Sequence, residues 1–207
     1  MTKKIFNRKL NNDTEYLIKL YRNYGELSPN IVRQRKKFVP EIEPQIIDYD
    51  QELFNKFFPK DKNINFENLQ LSNIGAYSIS DPDTAQMISD IIKKYSDKKN
   101  IIVTDANANM GGNSINFAQN FEKVNSVEII KKHCEILENN LKTYKLLDKV
   151  NIVCEDYLDV MMGLKQDVVF FDPPWGGPEY KKIRNLNLKL DEVNIIDIIN
   201  EIKSITE

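Results

Sequence analysis

The chain is expected to fold as an α/β domain of the Rossmann-like, doubly wound kind, a parallel sheet with helices on both faces. Three observations predict it. From residue 80 onward, short apolar runs of strand type alternate with helical stretches. Each run stops at or beside an acid: Ile101–Asp105, Val124–Ile129 with Glu128, Val150–Cys154 before Asp156, and Val168–Phe171 before Asp172. A glycine-bearing loop, Asp105–Asn113, joins the first run to a helix. Ligands of such sheets bind at the carboxyl ends of the strands, where these acids fall.

The elements follow in order. Residues 14–24 have weak helical periodicity, ended by Gly25 and Pro29, and 38–47, with Pro40 and Pro44, read as an extended linker. A short helix is predicted over Gln51–Phe58, and an extended piece over Ile74–Ile79. Ser80 or Asp81 caps the next helix, with Pro82 early and Met87, Ile88, Ile91 and Ile92 as its apolar face. Helices are predicted through Ile115 to Phe121 and over Ile130–Leu141. A last helix is predicted from about Leu190 through Ile202. A basic extension and linker (1–64) is set apart from the α/β domain (65–207).

Composition sets further bounds. No apolar run reaches the ~20 residues of a membrane span, and no secretory leader is visible, so the expected setting is intracellular, nucleus or cytoplasm. Cys134 and Cys154 are too few for a disulfide framework, and with His133 they make no metal-ligand pattern, so no metal is expected. The cysteines read as ordinary core or surface residues and His133 as a solvated residue of a charged helix. Residues 1–40 hold ten Lys or Arg against three acids, +7, so the rest of the chain carries −9. This segment, with Arg33, Arg35, Lys36 and Lys37, reads either as a phosphate-backbone contact or as a solvated tail.

Two stretches carry chemistry. In Asp172-Pro-Pro-Trp-Gly-Gly-Pro-Glu-Tyr180, the prolines stiffen the turn and leave carbonyls free as acceptors. The Asp172 side chain adds an acceptor, and Trp175, the single tryptophan, offers a stacking face. Acceptors beside a stacking face suit a flat heterocycle with an exocyclic amine. In the loop Asp105–Asn113, glycines such as Gly111 let backbone approach a ligand. Glu128 follows Asp105 by 23 residues, near the ~20-residue spacing of a ribose-binding acid. The loop lacks the dinucleotide fingerprint and opens with an acid, which suits a cationic ligand such as S-adenosylmethionine. Asp105 would face its ammonium group, and Asp156 and Tyr157 would bracket the adenine.

With these residues in view, the chain resembles the trimethylguanosine synthase family of RNA cap guanine-N2 methyltransferases. The likeness rests on Asp105-Ala-Asn-Ala-Asn-Met-Gly-Gly-Asn-Ser-Ile115 and Pro173-Pro-Trp-Gly-Gly-Pro-Glu-Tyr180, with a looser match over Gly75–Pro82. It covers about residues 65–207. It implies a class I S-adenosylmethionine-dependent methyltransferase fold. It further implies that Asp105, Asn113, Glu128 and Asp156 hold the methyl donor with Ser80 nearby, that Trp175 stacks on the 7-methylguanine of capped RNA, and that Tyr180 lies near the cap phosphates. The chain departs from the family pattern at Asn109, in place of a glycine that an Asn can replace in left-handed backbone, and at Asn107-Ala108, in place of Phe-Cys. Asp172 stands where the family can have serine, and Gln70 where it has a basic phosphate contact. The family's domains also continue past the last helix, so the fourth strand is expected to lack a neighbour.

The expected reaction is methyl transfer to the cap N2 amine, with Asp172 and the Pro173 carbonyl accepting the amine hydrogens. Two alternatives stand beside it: a non-catalytic module that binds caps or the cofactor, and an amino methyltransferase acting on another RNA base.

Overall fold

The structure, a computed structural model, describes residues 43–173 and 187–206. The helical stretch expected at 14–24, the basic segment, Trp175 and Tyr180 lie outside the described residues. The chain divides into two compact units. The described residues of the larger fall within Pro40–Leu158 and Leu164–Asp172; those of the smaller are 159–163, 173 and 187–206.

The larger unit holds a parallel sheet of β1 (Ile102–Asp105), β2 (Lys123–Val127), β3 (Val150–Val153) and β4 (Val168–Phe170), in the order β3-β2-β1-β4. Each strand lies within two residues of its predicted run. The chain starts in the middle, runs outward to β3, then returns to β4 on the other side of β1. With right-handed crossovers, that reversal sends successive connections over opposite faces and opens a crevice at the carboxyl ends of β1 and β4. Among the described residues β4 pairs with β1 alone.

Helix α1 (Gln51–Phe57) starts at Asp50, whose side chain accepts from the Leu53 N–H at 2.7 Å. It delivers Phe54 and Phe58, both fully buried, to one core with Leu71, Met110, Leu141 and Tyr144. Helix α2 (Pro82–Tyr95) is capped by Asp81, which accepts from the Asp83 and Thr84 N–H groups, and Pro82 sits where its missing donor costs nothing. Its buried face keeps Ile92 and the partly buried Ile88 of the predicted set but not Met87 and Ile91. Ala85, Ser89 and Ile92 are buried, whereas Met87 and Ile91 are 57% and 51% exposed. Polar pairing chooses the face: Ser89 donates to Asn116 of α3 (Gly112–Asn120), and Asn116 donates to Gln86.

Helix α4 (Lys131–Thr143) buries His133, Ile136, Leu137, Asn140 and Leu141. Asn140 is fully enclosed and fully used, donating to the Met110 and Gln70 carbonyls and accepting from the Gln70 N–H. The four-residue helix α5 (Tyr157–Val160) follows β3.

Two further expectations change. Residues 74–79 form a 3-10 turn at Gly75–Tyr77 instead of an extended piece, because the Ser72 hydroxyl accepts from the Gly75 N–H at 2.9 Å and folds the chain back. The last helix, α6 (Ile195–Thr206), starts later than predicted. Before it, β5 (Lys189–Leu190) and β6 (Val193–Asn194) form a small antiparallel hairpin in the smaller unit. Asp191 makes that turn possible by adopting left-handed backbone, φ 54°.

Cys134, in the first turn of α4, is disulfide-bonded to Cys154, just after β3, with Cα atoms 5.9 Å apart. They are therefore not independent core and surface residues. Their meeting depends on β3 lying beside β2, a non-local pairing that cysteine counting does not reveal. The bond closes a loop of about 20 residues, and such a loop constrains the unfolded chain by about 3 kcal/mol. Cys154→Ser is expected to lower unfolding free energy by about that amount in oxidising buffer and by much less under reductant. Equal stability of the two proteins in oxidising buffer would contradict the bond.

Candidate active site

Asp105 ends β1 and is completely buried. The register sets it opposite Phe170, two residues before Asp172, so two acids occupy the neighbouring strand ends at the crevice. The loop after Asp105 is tied down on both sides. The Ala106 N–H donates to the Phe170 carbonyl of β4, and the Ala108 N–H to the Val127 carbonyl of β2. Asn109 takes left-handed backbone, φ 49°, as its residue type allows. Gly111 at φ 101° precedes the first residue of α3. A Cβ on Gly112 would come 2.8 Å from the Ser80 carbonyl, so the bare glycine lets the Ser80 segment lie against the helix start. There the Asn113 amide donates to the Ser80 hydroxyl at 3.0 Å.

The loop's side chains present oxygen without matching donors. Asp105 Oδ2 accepts from Ser114, which in turn accepts from Ser126. Asp105 Oδ1 and the Oδ1 atoms of Asn107, Asn109 and Asn113 are buried with no donor among the described residues. Unpaired buried acceptors are costly, and four on one loop fit a ligand that brings N–H or O–H groups. Burial pushes the Asp105 carboxyl up to about 7, and the Asp172 and Glu128 charges add to that push against the Ser114 hydroxyl and the Asn107 backbone N–H. A cationic ligand would relieve it; a pyrophosphate would not.

Glu128, 7% exposed, is held by two backbone donors, Asn109 N–H to Oε2 and Ile130 N–H to Oε1, each at 2.8 Å. Burial raises its carboxyl above the usual range while those donors oppose the rise. Ser80, Asp105, Gly111, Asn113 and Glu128 are thus gathered around one loop. Asp156 lies at the end of the adjacent strand β3 and accepts from the Leu158 N–H at 2.9 Å. Tyr157 is buried, its hydroxyl paired with Gln166 and its ring edge-on to Phe171 at 5.3 Å. Pro173 is buried.

His133 is 4% exposed, not solvated, and burial pushes its imidazole down to about 4. It shares a helical stripe with Leu137, Asn140 and Leu141, a spacing that signals the buried side of α4. Asn107 and Asn109 are further site residues that a reading of glycines and acids passes over; their signal is an amide carbonyl at each of two loop positions. Among the described residues no group of three His, Cys, Asp or Glu side chains is placed to hold a metal ion, and no helix is long and apolar enough to cross a membrane.

A profile of the RNA cap guanine-N2 methyltransferase family matches residues 100–207. Uncharacterized protein L320 of Acanthamoeba polyphaga mimivirus is 39% identical over 102 residues, covering 47% of this chain and 39% of that protein. Trimethylguanosine synthase of Schizosaccharomyces pombe is 32% identical over 119 residues, 54% of this chain and 48% of the relative. The chain therefore spans less than half the length of these curated relatives. The crystal structure of a putative RNA methyltransferase from Pyrococcus horikoshii aligns at 18% identity with a TM-score of 0.44, covering 61% of this chain and 57% of that one.

The raised Asp105 carboxyl makes a prediction for the ligand-free protein. Its folded value, about 7, exceeds the ordinary 3.8, so its contribution is fully present below pH 4 and lost as pH rises through 7. Asp105→Asn removes that titration. The unfolding free energy of the wild type minus that of the variant is expected to fall by up to about 4 kcal/mol between pH 4 and pH 8. A difference that stays flat over that range would contradict a buried, titrating Asp105.

Proposed function

The chain belongs to the RNA cap guanine-N2 methyltransferase family, and from that premise we propose that it methylates the N2 amine of the 7-methylguanosine cap of RNA, with S-adenosylmethionine as donor. The observation that carries the reading is the set of buried oxygens at the β1–β4 crevice that lack donors, beside the strand that leads into Asp172-Pro-Pro-Trp. When bound, S-adenosylmethionine supplies an electrophilic methyl group. Its ammonium supplies donors that the loop lacks, so Asp105 and Asn113 fit it, and the oriented Glu128 carboxyl has lone pairs left for the ribose hydroxyls. Asp105 is assigned to the amino-acid end with Asn113 and Ser80 beside it, and Glu128 to the ribose. Gly111 allows close backbone approach. Asp156 and Tyr157 are assigned to the adenine.

The substrate's amine is a weak nucleophile because its lone pair is delocalised into the ring. Asp172 and the Pro173 carbonyl would accept its hydrogens and favour a pyramidal amine. Most of the rate then comes from positioning. The amine proton becomes acidic only as the N–C bond forms, and Asp172 would take it then. Trp175 would stack on the methylated, cationic guanine, worth roughly 1–3 kcal/mol. Tyr180 would lie near the cap phosphates, and the basic segment within residues 1–40 would touch the RNA backbone. Capped RNA places such an enzyme inside the cell, in nucleus or cytoplasm.

The test is methyl transfer from labelled donor to 7-methylguanosine cap analogue and unmethylated cap offered side by side. Transfer to the methylated cap alone is expected. Trp175→Ala is expected to weaken cap binding by about one to two decades and to reduce the preference for the methylated cap. Retention of both in the variant would remove the stacking role. Cofactor binding without transfer to either cap, in folded protein, would favour a binding module instead.

A further inference from the structure

We infer that His133, held by Ser72, is a positioning residue for Glu128, and that through Glu128 it selects for the ribose hydroxyls of the methyl donor. This rests on the reading of Glu128 as the ribose carboxylate. His133 Nε2 lies 2.9 Å from the Ser72 hydroxyl, and Nδ1 lies 3.8 Å from Glu128 Oε1, with both side chains at most 8% exposed. The Ser72 hydroxyl already accepts from the Gly75 N–H, so its own proton is free to go to the imidazole.

Burial keeps the ring neutral near pH 7, so it carries one N–H. Two tautomers compete. With the proton on Nε2, a lone pair on Nδ1 would face a buried carboxylate across 3.8 Å. With the proton on Nδ1, the positive end of the N–H dipole faces Glu128 and Nε2 accepts from Ser72. The second arrangement satisfies both neighbours. The distance exceeds direct hydrogen-bond reach, but in a buried setting the interaction is weakly screened. It adds a further favourable dipole to the Asn109 and Ile130 N–H groups, which orient Glu128 and favour its charged form against the burial that raises its carboxyl. The same hydroxyl closes the Ser72–Gly75 turn, and the Ser72 N–H meets the Met110 sulfur at 3.0 Å. Glu128 is thereby tied to the segment that leads on to Ser80.

Two measurements test this. In ligand-free protein, nitrogen NMR of the single histidine is expected to show the Nδ1–H tautomer, and Ser72→Ala or Glu128→Gln to lose it. Calorimetry then compares S-adenosylhomocysteine with its analogue lacking both ribose hydroxyls. His133→Phe is expected to weaken the first by about tenfold, to leave the second unchanged, and to add nothing in a Glu128→Ala background. Equal weakening of both ligands, full additivity with Glu128→Ala, or an Nε2–H tautomer in the wild type would each overturn the proposal. If the tautomer is as expected but Glu128→Ala binds both ligands like wild type, the ribose assignment of Glu128 is what fails. Should His133→Phe not fold, Ser72→Ala carries the same binding comparison.

Discussion

Burying a carboxylate is among the most costly things a fold can do, and Asp105 is buried completely at the point where the strand order reverses. One of its oxygens is satisfied by a relay of serines, Ser126 to Ser114 to Asp105, supplied by β2 and α3. The other has no donor among the described residues. Much of the surrounding architecture maintains that situation. The loop above is fastened to the ends of β4 and β2, the bare Gly112 lets Ser80 lie against the start of α3, and Met110 shares one buried core with Phe54 and Phe58.

The second acid, Glu128, solves the same problem differently. Its two oxygens are both occupied by backbone N–H groups, so it is pre-oriented before any ligand arrives. One of those donors comes from Asn109, in left-handed backbone, so the shape of the Asp105–Asn113 loop and the aim of Glu128 are set together. The Cys134–Cys154 bond joins the first turn of α4 to the end of β3, close in sequence to both Glu128 and Asp156.

Much of this was legible in the chain. Strand runs with acids at their ends predicted the sheet and the position of Asp105, Glu128, Asp156 and Asp172 at or just beyond strand ends, because period and position carry that information locally. The Asn109 substitution was readable as tolerable from residue type alone. What escaped depends on partners distant in sequence. The buried face of α2 is set by Asn116 and Gln86, so an apolar count chose Met87 and Ile91 instead. Pairing of the cysteines needs β3 beside β2. His133 looked solvated because its neighbours in sequence are lysines, although its helical stripe with Leu137 and Leu141 points inward. The turn at Asp191 broke a run of apolar residues that reads as continuous helix.

The most direct test of the account is proton-linked calorimetry of S-adenosylhomocysteine binding near pH 7, run in two buffers of different ionisation enthalpy. A cationic amine placed against Asp105 pulls down a carboxyl that sits at about 7, so binding is predicted to release a fraction of a proton, and Asp105→Asn to abolish that release. Binding with no proton release, or release that survives in Asp105→Asn, would contradict the assignment of Asp105 and the loop built around it.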